Sequence, residues 1–223
     1  MAKPIIAWSY SALNTFENCP RKYWATKIAK KVSDINKWNT KGDSEHDHFH
    51  NYLKKGLALP AAIAHYKPML DKLKAAPGEL YSEMQMTLTQ DFVPCNFKDW
   101  DNAWVRGATD ALVVNGDKAT YLDWKSGKFR PGDDQIELSS LLIFKHFPQV
   151  QTVKGGLVFY RHNKVHPHVV HRADEPMLWN SFITRVKEME TAKINDEWPA
   201  TPNPLCGWCP YLECPHNTNK GDK

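Results

Sequence analysis

Two carboxylates and an ammonium group lie close together in a predicted β-hairpin near the middle of the chain. Asp110 precedes the turn-forming sequence Asn115-Gly116-Asp117, and Asp123 and Lys125 follow it. Because alternate residues of a strand point to the same face, Asp123 and Lys125 share a surface while Trp124 packs behind them. The hairpin would bring both carboxylates together.

Grouped carboxylates are typical ligands of Mg²⁺ or Mn²⁺, which prefer hard oxygen donors and retain water and phosphate oxygens. Such a metal acidifies a bound water and neutralises charge that grows on a phosphate. Lys125 can hold or polarise that water and stabilise the transition state. The alternative is an exposed cluster of ion pairs on a surface hairpin, and an isolated Asp-x-Lys triplet favours that alternative.

The N-terminal third is predicted to be helical. Residues 9–31 form mostly helix, with Ser9 or Ser11 as N-cap and Pro20 dividing the segment. A second helix is predicted from Thr40, where Asp43 imitates a capping box, to Lys55. Pro60 and Pro68 bracket a further helical stretch that a Pro-Gly turn ends.

From Leu80 the apolar period changes to two, which predicts a strand with Ser82, Met84, Met86 and Leu88 on one face. The later elements follow from the same criteria: strands over 104–114, 119–125, 153–160 and up to His171, and helices from Asp133 or Asp134 to Pro148 and over 175–194. The element order predicts an α/β fold with a mixed sheet.

The composition is compatible with nucleic-acid binding, and we expect no membrane-spanning segment. The formal net charge of +4 permits nucleic-acid binding without requiring it. The apolar stretch Ile5–Trp8 is too short for a signal-peptide core, so we expect a cytoplasmic protein. At 223 residues we predict a single domain, with an N-terminal helical part (1–78), a core (79–172) and a C-terminal helix with a Cys-rich tail (173–223).

The motifs around the hairpin resemble the RecB-type branch of the PD-(D/E)xK nuclease superfamily. Gly107-x-x-Asp110, Asp123-x-Lys125-Ser-Gly and Gln135 at the start of the next helix follow the order of that branch's G-x-x-D, D-x-K-T/S-G and Gln motifs. The resemblance implies a restriction-endonuclease-like core and phosphodiester hydrolysis in DNA, usually from an end, in recombination, repair or processing. It also implies catalytic roles for Asp110, Asp123, Lys125 and Gln135.

Two further residues and one departure belong to the same resemblance. His46, in Gly42-x-x-x-His46, matches a G-x-x-x-H element whose histidine is an additional metal ligand, although His48 and His50 lie nearby. Glu83 matches the Glu or Gln that precedes the first aspartate. The branch often continues Q-L-x-x-Y, whereas this chain has Ser139 at the aromatic position, so the resemblance does not extend to any role of that aromatic residue in positioning DNA.

Four cysteines have metal-ligand spacing. Cys206, Cys209 and Cys214 form a C-x₂-C-x₄-C triplet, and Cys19 lies nearly two hundred residues earlier. Together they can bind a 4Fe-4S cluster or Zn²⁺. A zinc knuckle with His216 as fourth ligand, and a buried apolar thiol at Cys19, are the alternatives.

Iron-sulfur members of the same nuclease branch resemble this chain in having one cysteine before the core and three after it. The resemblance implies a structural 4Fe-4S cluster that joins the N-terminal helix to the C-terminal tail. Cys95 falls outside the pattern and is expected to be an inert thiol. The nine tryptophans do not by themselves indicate a base-stacking residue.

Two other functions fit parts of the pattern. One is a zinc or iron-sulfur module that binds DNA without cutting it, and intact Asp110, Asp123 and Lys125 argue against it. The other is a nuclease subunit whose activity depends on a recombination partner. Because the sequence has no P-loop motif, unwinding would come from a separate helicase. The expected substrate is linear DNA, including single-stranded ends.

Overall fold

A computed structural model describes residues 7–32 and 37–219, without the side chains of residues 37–44. The chain divides into two compact units. Unit 1 consists of the chain up to residue 36 and from residue 180, and unit 2 consists of residues 37–179. The single nuclease domain expected from the sequence stays a prediction.

The elements alternate in the order expected from the sequence. The helices are α1 (Tyr10–Asn18), α2 (Pro20–Tyr23), α3 (Lys37–Lys55), α4 (Lys67–Ala75), α5 (Asp134–His146) and α6 (Glu175–Asn195). The strands are β1 (Glu79–Leu88), β2 (Val105–Asn115), β3 (Lys118–Trp124), β4 (Thr152–Phe159) and β5 (Lys164–His171). None of the described helices combines the length and apolar character needed to cross a bilayer.

Unit 2 is built on a five-stranded sheet of order β1-β2-β3-β4-β5. Neighbouring strands are antiparallel except β3 and β4, which are parallel. A parallel pair needs a crossover connection, and α5 provides it. The predicted α/β fold, a mixed sheet flanked by helices, is therefore confirmed.

The predicted hairpin between β2 and β3 is also confirmed. Asn115 pairs with Lys118, and Gly116 adopts a φ of +56° in the two-residue turn between them. A left-handed backbone at this position suits a tight hairpin, and glycine adopts it without a steric penalty. The register follows from this turn and places Asp110 opposite Asp123.

Helices α3 and α4 cover one face of the sheet with an apolar cluster. Phe49 of α3 stacks on Trp124 of β3, with 4.5 Å between the ring centroids. The cluster also contains Tyr52, Leu53, Ile63, Tyr66, Leu70, Leu73, Ala111, Val113, Val158 and Tyr160. Each such side chain stabilises the fold by about 1.5–3 kcal/mol on burial, so this layer fixes α3 over the centre of the sheet.

Helix α5 packs on the opposite face. A Cβ added to Gly155 of β4 would meet Ile136 of α5 at 2.3 Å and the Tyr121 ring at 2.7 Å. Glycine at this position therefore allows the helix to approach the sheet closely. Tyr121 points to α5, whereas its neighbour Leu122 packs against the α3–α4 cluster.

The paired strands β1 and β2 exchange faces halfway along their length. Leu80 and Val113 pair with each other and pack on the α3–α4 side. Farther along the same ladder Met86 pairs with Gly107, and a Cβ on Gly107 would lie 2.4 Å from Leu142 of α5. The predicted uniform face of β1 from Ser82 to Leu88 is therefore wrong.

The exchange occurs at Glu83, which has a φ of +57° in the middle of a strand. Ser82 and Glu83 both contact His50 of α3, so two consecutive side chains point to one face. A non-glycine residue in the left-handed region costs on the order of 1–2 kcal/mol, and such strain concentrates at functional sites. Asp110 lies opposite Glu83 in the ladder register.

Unit 1 joins the N-terminal helices to the C-terminal segment. The Ser9 side chain accepts a hydrogen bond from the Ala12 amide and caps α1, as predicted, and Pro20 begins α2. Phe16 and Tyr23 pack against Trp198. Helix α3 is already formed at Lys37, so its predicted start at Thr40 is wrong; the side chains of Thr40 and Asp43 lie outside the described residues.

Candidate active site

The two predicted metal-binding carboxylates meet where β2 and β3 separate. The last paired residues of the ladder are Ala111 and Leu122, and Asp110 and Asp123 are their neighbours just beyond the end of the pairing. The freed backbone amide of Trp124 donates to Asp110 Oδ2 at 2.6 Å. The Asp110 side chain thus replaces a ladder carbonyl and is held at the separation point.

Burial disfavours the charged form of the Asp110 carboxyl. Burial raises the pKa of its carboxyl to about 7, and the neighbouring charge of Asp123 adds to the rise. The Trp124 amide and the Lys125 ammonium lower this pKa, whereas Glu83 raises it further. Such a carboxylate pair favours binding of a divalent cation, which relieves both the repulsion and the desolvation.

Asp123 is held by the other predicted residues. Lys125 Nζ lies 2.6 Å from Asp123 Oδ2, and the Gln135 amide donates to Asp123 Oδ1 at 3.1 Å. The Asp123 side chain is only 11% exposed. The alternative of an exposed surface cluster therefore does not describe this hairpin.

The histidines of α3 lie over the Asp110 side of the sheet. His46 Nδ1 is 3.8 Å from Asp110 Oδ2, so the structure brings this predicted ligand to the carboxylates. His50, one turn later, lies 2.8 Å from Ser82 Oγ and 3.4 Å from Glu83 Oε2. The sequence singled out His46 alone as a ligand, but the i, i+4 spacing places His46 and His50 on the same face of α3.

Glu83 is near the site without joining the central contacts. Its side chain is half exposed and contacts His50, and its charge acts on Asp110. The strained backbone at this position aims the side chain to the α3 face. Of the six predicted residues, the described contacts link Asp110, His46, Asp123, Lys125 and Gln135, and place Glu83 at the margin.

Two supporting groups were not singled out in the sequence. Glu45 accepts hydrogen bonds from Tyr160 Oη at 2.6 Å and from Arg161 Nε at 3.1 Å. The Tyr160 ring lies 6.2 Å from that of His46, so Glu45 links α3 to the end of β4 beside this histidine. Their separation of more than a hundred residues leaves no local signal that could have revealed the contact.

The second supporting group holds the start of α5. Asp133, at the N-cap position of α5, makes no side-chain bond to its own helix. Instead it lies 2.7 Å from His166 Nε2 and 3.6 Å from His168 Nδ1 of β5. The edge strand therefore fixes the first turn of α5, which presents Gln135 to Asp123.

The donor set fits a hard divalent cation. Asp123 Oδ2 is buried and lacks a hydrogen bond of normal geometry, although the Lys125 ammonium is close. In the described part of the chain, no three His, Cys, Asp or Glu side chains are arranged to hold a metal ion by themselves. Mg²⁺ needs only one or two carboxylates, because water and phosphate oxygens complete its shell.

A second cluster of potential ligands lies in unit 1. Cys19, Cys206, Cys209 and Cys214 line one small pocket with a cavity volume of about 20 Å³, and His216 also borders it. The Thr201 and Asn203 amides donate to Cys19 Sγ at 3.4 Å and to Cys206 Sγ at 3.3 Å.

The thiols of this pocket affect one another. Burial raises the pKa of the Cys209 thiol, and the nearby Cys19 and Cys214 raise it further. Backbone amides that point at sulfur atoms are a feature of thiolate clusters. All five cysteines are free thiols, and Cys95 belongs to unit 2, outside this group.

Comparison with known proteins identifies the family. The sequence profile of the PD-(D/E)XK nuclease superfamily matches residues 36–214. The chain therefore belongs to the PD-(D/E)XK nuclease superfamily, whose members are phosphodiester hydrolases. Comparison with curated proteins gave no match.

Two solved structures resemble the chain over most of its length at low identity. One is the protein SSO0001, with 13% identity, a TM-score of 0.47 and coverage of 95% of this chain and 87% of that chain. The other is a protein of Eubacterium rectale with a provisional designation as an exonuclease, with 12% identity, a TM-score of 0.49 and coverage of 93% and 87%.

Proposed function

We propose that this protein is a Mg²⁺- or Mn²⁺-dependent deoxyribonuclease of the RecB-type branch that degrades linear DNA from its ends. The observation that carries the proposal is the meeting of Asp110 and Asp123 at the separation of β2 and β3, beside Lys125. Membership of the nuclease superfamily supports it. The biological setting that we propose is DNA recombination, repair or processing with a helicase partner.

Each residue has a distinct part in this reaction. Asp110, Asp123 and His46 would hold the metal, which when bound supplies an acidified water and charge neutralisation at the phosphate. Gln135 holds Asp123 in orientation through its Oδ1. The Lys125 ammonium, released from Asp123 Oδ2, can donate to the attacking water or to the phosphate oxygens in the transition state.

The test is cleavage of end-labelled DNA by the full chain. Single- and double-stranded linear DNA and closed circular DNA are incubated with Mg²⁺, with Mn²⁺ or with a chelator, for the wild type and Asp123→Asn. We expect mononucleotides or short oligonucleotides from linear DNA only, with no products from the variant. Cleavage of closed circles would overturn the end-dependent mode, and metal-independent cleavage would overturn the proposed chemistry.

We further propose that the cysteine pocket holds a 4Fe-4S cluster. Support comes from four thiols lining one pocket and from backbone amides that donate to two of the sulfurs. A four-iron cluster takes one thiolate per iron, so its ligands surround a volume, whereas Zn²⁺ draws four sulfurs to within about 2.3 Å of one point. Anaerobically purified protein should be brown with about four irons per chain, and stoichiometric zinc in a colourless protein would contradict the proposal.

A further inference from the structure

We propose that Trp100 is a stacking platform for an unpaired base of the DNA strand whose phosphodiester lies at Asp110. This inference rests on the proposed nuclease function and adds a substrate contact to it. Trp100 belongs to the loop between β1 and β2, and 74% of its surface is exposed. An indole with this exposure offers an apolar ring face that any base can cover.

The loop holds the indole in a fixed position. Arg106 of β2 donates from Nε to the Phe97 carbonyl at 3.1 Å and from Nη2 to the Asp99 carbonyl at 3.0 Å. The residues that follow Trp100 are held too, because the backbone amides of Asp101 and Asn102 donate to Asp99 Oδ1. Because both flanks are tied down, little conformational freedom is lost when a base stacks.

Arg106 also supports one face of the ring. Its guanidinium carbon lies 4.3 Å from the centroid of the Trp100 ring, a cation–π contact. The guanidinium covers that face and leaves the other for a ligand. A base that stacks there would form the third layer of an Arg-Trp-base stack.

The sheet directs this platform along the same face as Asp110. Gly107 points to Leu142 of α5, so its neighbours Arg106 and Ala108 point to the opposite face. Asp110 points to His46 of α3, which packs on that opposite face too. Arg106, Ala108 and Asp110 therefore share one face by strand alternation, and the exchange of faces near Glu83 and Asp110 puts this face on the α3 side.

The surface between platform and site is open. Ala108 and its partner Gln85 are exposed. Asp110 lies four residue steps along β2 from Arg106, which corresponds to roughly 13 Å, or about four nucleotides at the spacing of a stacked strand. A strand whose scissile phosphate lies at Asp110 can therefore reach Trp100 along this face.

The local charge favours a base over a phosphate as the ligand. Asp91, Asp99 and Asp101 outnumber Lys98 in this loop, and Arg106 is engaged with carbonyls. The pKa of Asp99 is lowered, mainly by the hydrogen bonds that Asn102 donates to it. This carboxylate therefore stays ionised beside Arg106. Phosphate recognition is therefore weak here, whereas stacking needs no positive field.

The test measures DNA binding in an uncleaving background. In full-length Asp110→Asn protein with Mg²⁺, the Kd of a fluorescent single-stranded ten-nucleotide DNA is measured by anisotropy. Trp100→Ala should raise this Kd about 5- to 100-fold, and Trp100→Phe should restore most of the affinity. Val93→Ala, an exposed residue of the same loop, is the matched control and should leave the Kd unchanged.

An abasic scan of the oligonucleotide identifies the stacked base. Removing one base, about four positions from the scissile phosphate, should weaken binding to the Trp100 protein but not to the Trp100→Ala protein. Equal affinity with and without the indole, or additive losses at every abasic position, would overturn the stacking platform. Failure of wild-type protein to cleave DNA would instead remove the proposed function, because binding is read independently of cleavage.

Discussion

The carboxylate site of unit 2 and the cysteine pocket of unit 1 assemble their residues by different means. In unit 2 the backbone register of β2 and β3 places Asp110 against Asp123, and a turn of two residues sets that register. In unit 1 Cys19 joins Cys206, Cys209 and Cys214 through packing of α1 and α2 against the C-terminal segment. The carboxylate pair thus depends on the geometry of one hairpin, whereas the cysteine pocket depends on contacts between residues nearly two hundred positions apart.

Asp123 and Lys125 give the largest expected effect. Asp123→Asn or Lys125→Ala should lower the DNA cleavage rate about a thousandfold or more, because charge stabilisation by a metal or ammonium is worth several kcal/mol. The melting temperature should stay within a few degrees of the wild type. Lys128→Ala, an exposed lysine three residues later, is the control and should cleave at a near-normal rate.

Cys19 tests whether the pocket depends on its distant thiol. Cys19→Ser should remove the visible absorbance of the proposed 4Fe-4S cluster and destabilise unit 1 by on the order of 4 kcal/mol, by analogy with cross-links that close long loops. Iron content and thermal melting are the measurements. Cys95→Ser should keep both properties, and the same loss in both variants would show that the pocket is not specific.

Asp110 should couple stability to pH in metal-free protein. Its pKa is raised from an ordinary value of about 4 to about 7 in the folded state, so the folded state binds more protons between these values. The unfolding free energy should therefore fall as the pH rises from about 4 to about 7. Asp110→Asn should remove this fall and exceed the wild type at pH 8 by on the order of 2–4 kcal/mol.

Urea titrations in a chelator across this pH range measure the difference. A parallel pH dependence in wild type and Asp110→Asn would contradict the assignment to this carboxylate. The variant should also be inactive, so that one substitution stabilises the fold and abolishes cleavage. In the cysteine pocket we do not expect a substitution to raise stability while it removes function, because the proposed cluster ligands also hold unit 1 together.

Gln135 tests the link between α5 and the carboxylates. Gln135→Ala should reduce cleavage about 10- to 100-fold, which is the usual cost of losing a group that orients a metal ligand. His166→Ala, which removes the shorter of the two histidine contacts of Asp133 at the start of α5, should act in the same direction with a smaller effect. Single-turnover rates at saturating metal distinguish this loss from weaker metal binding, and an unchanged rate in Gln135→Ala would contradict the orienting role.

Glu83 gives the smallest expected effect and measures the strain itself. Glu83→Gly should raise the unfolding free energy by about 1 kcal/mol, because glycine adopts a φ of +57° without a steric penalty. Cleavage should fall if the carboxylate acts at the site. Lys30→Gly, at an exposed left-handed residue, should give a similar gain in stability with no change in cleavage, and a stability loss at Glu83 would argue against strain.

Much of unit 2 could be predicted because its signals are local. The apolar period of two, the Asn-Gly-Asp turn and the proline and glycine boundaries predict the strands, the hairpin and α5. They also predict that Asp110 and Asp123 face each other. The start of α3 was misjudged because a capping pattern at Thr40 resembles a helix start although helical backbone precedes it.

The remainder depends on contacts or strain that no local pattern encodes. The bond from Glu45 to Tyr160 and the contact of Asp133 with His166 join residues far apart in the sequence. The face exchange in β1 was missed because alternation assumes a regular strand, and nothing in the residue type of Glu83 indicates a left-handed backbone. Trp100 was hidden among eight other tryptophans until its exposure and its Arg106 contact were visible.

The exchange of faces divides the paired strands β1 and β2 into two halves. The positions that require apolar residues for packing on a given face differ between the two halves. Before Glu83, the even-numbered residues of β1 pack on the α3 side of the sheet. After Glu83, the even-numbered residues pack against α5. A mutational scan along β1 would therefore show two hydrophobicity patterns out of phase by one residue. Any transplant of this hairpin into another sheet must carry the phase shift with it, since a regular strand would turn Arg106 and Ala108 toward α5.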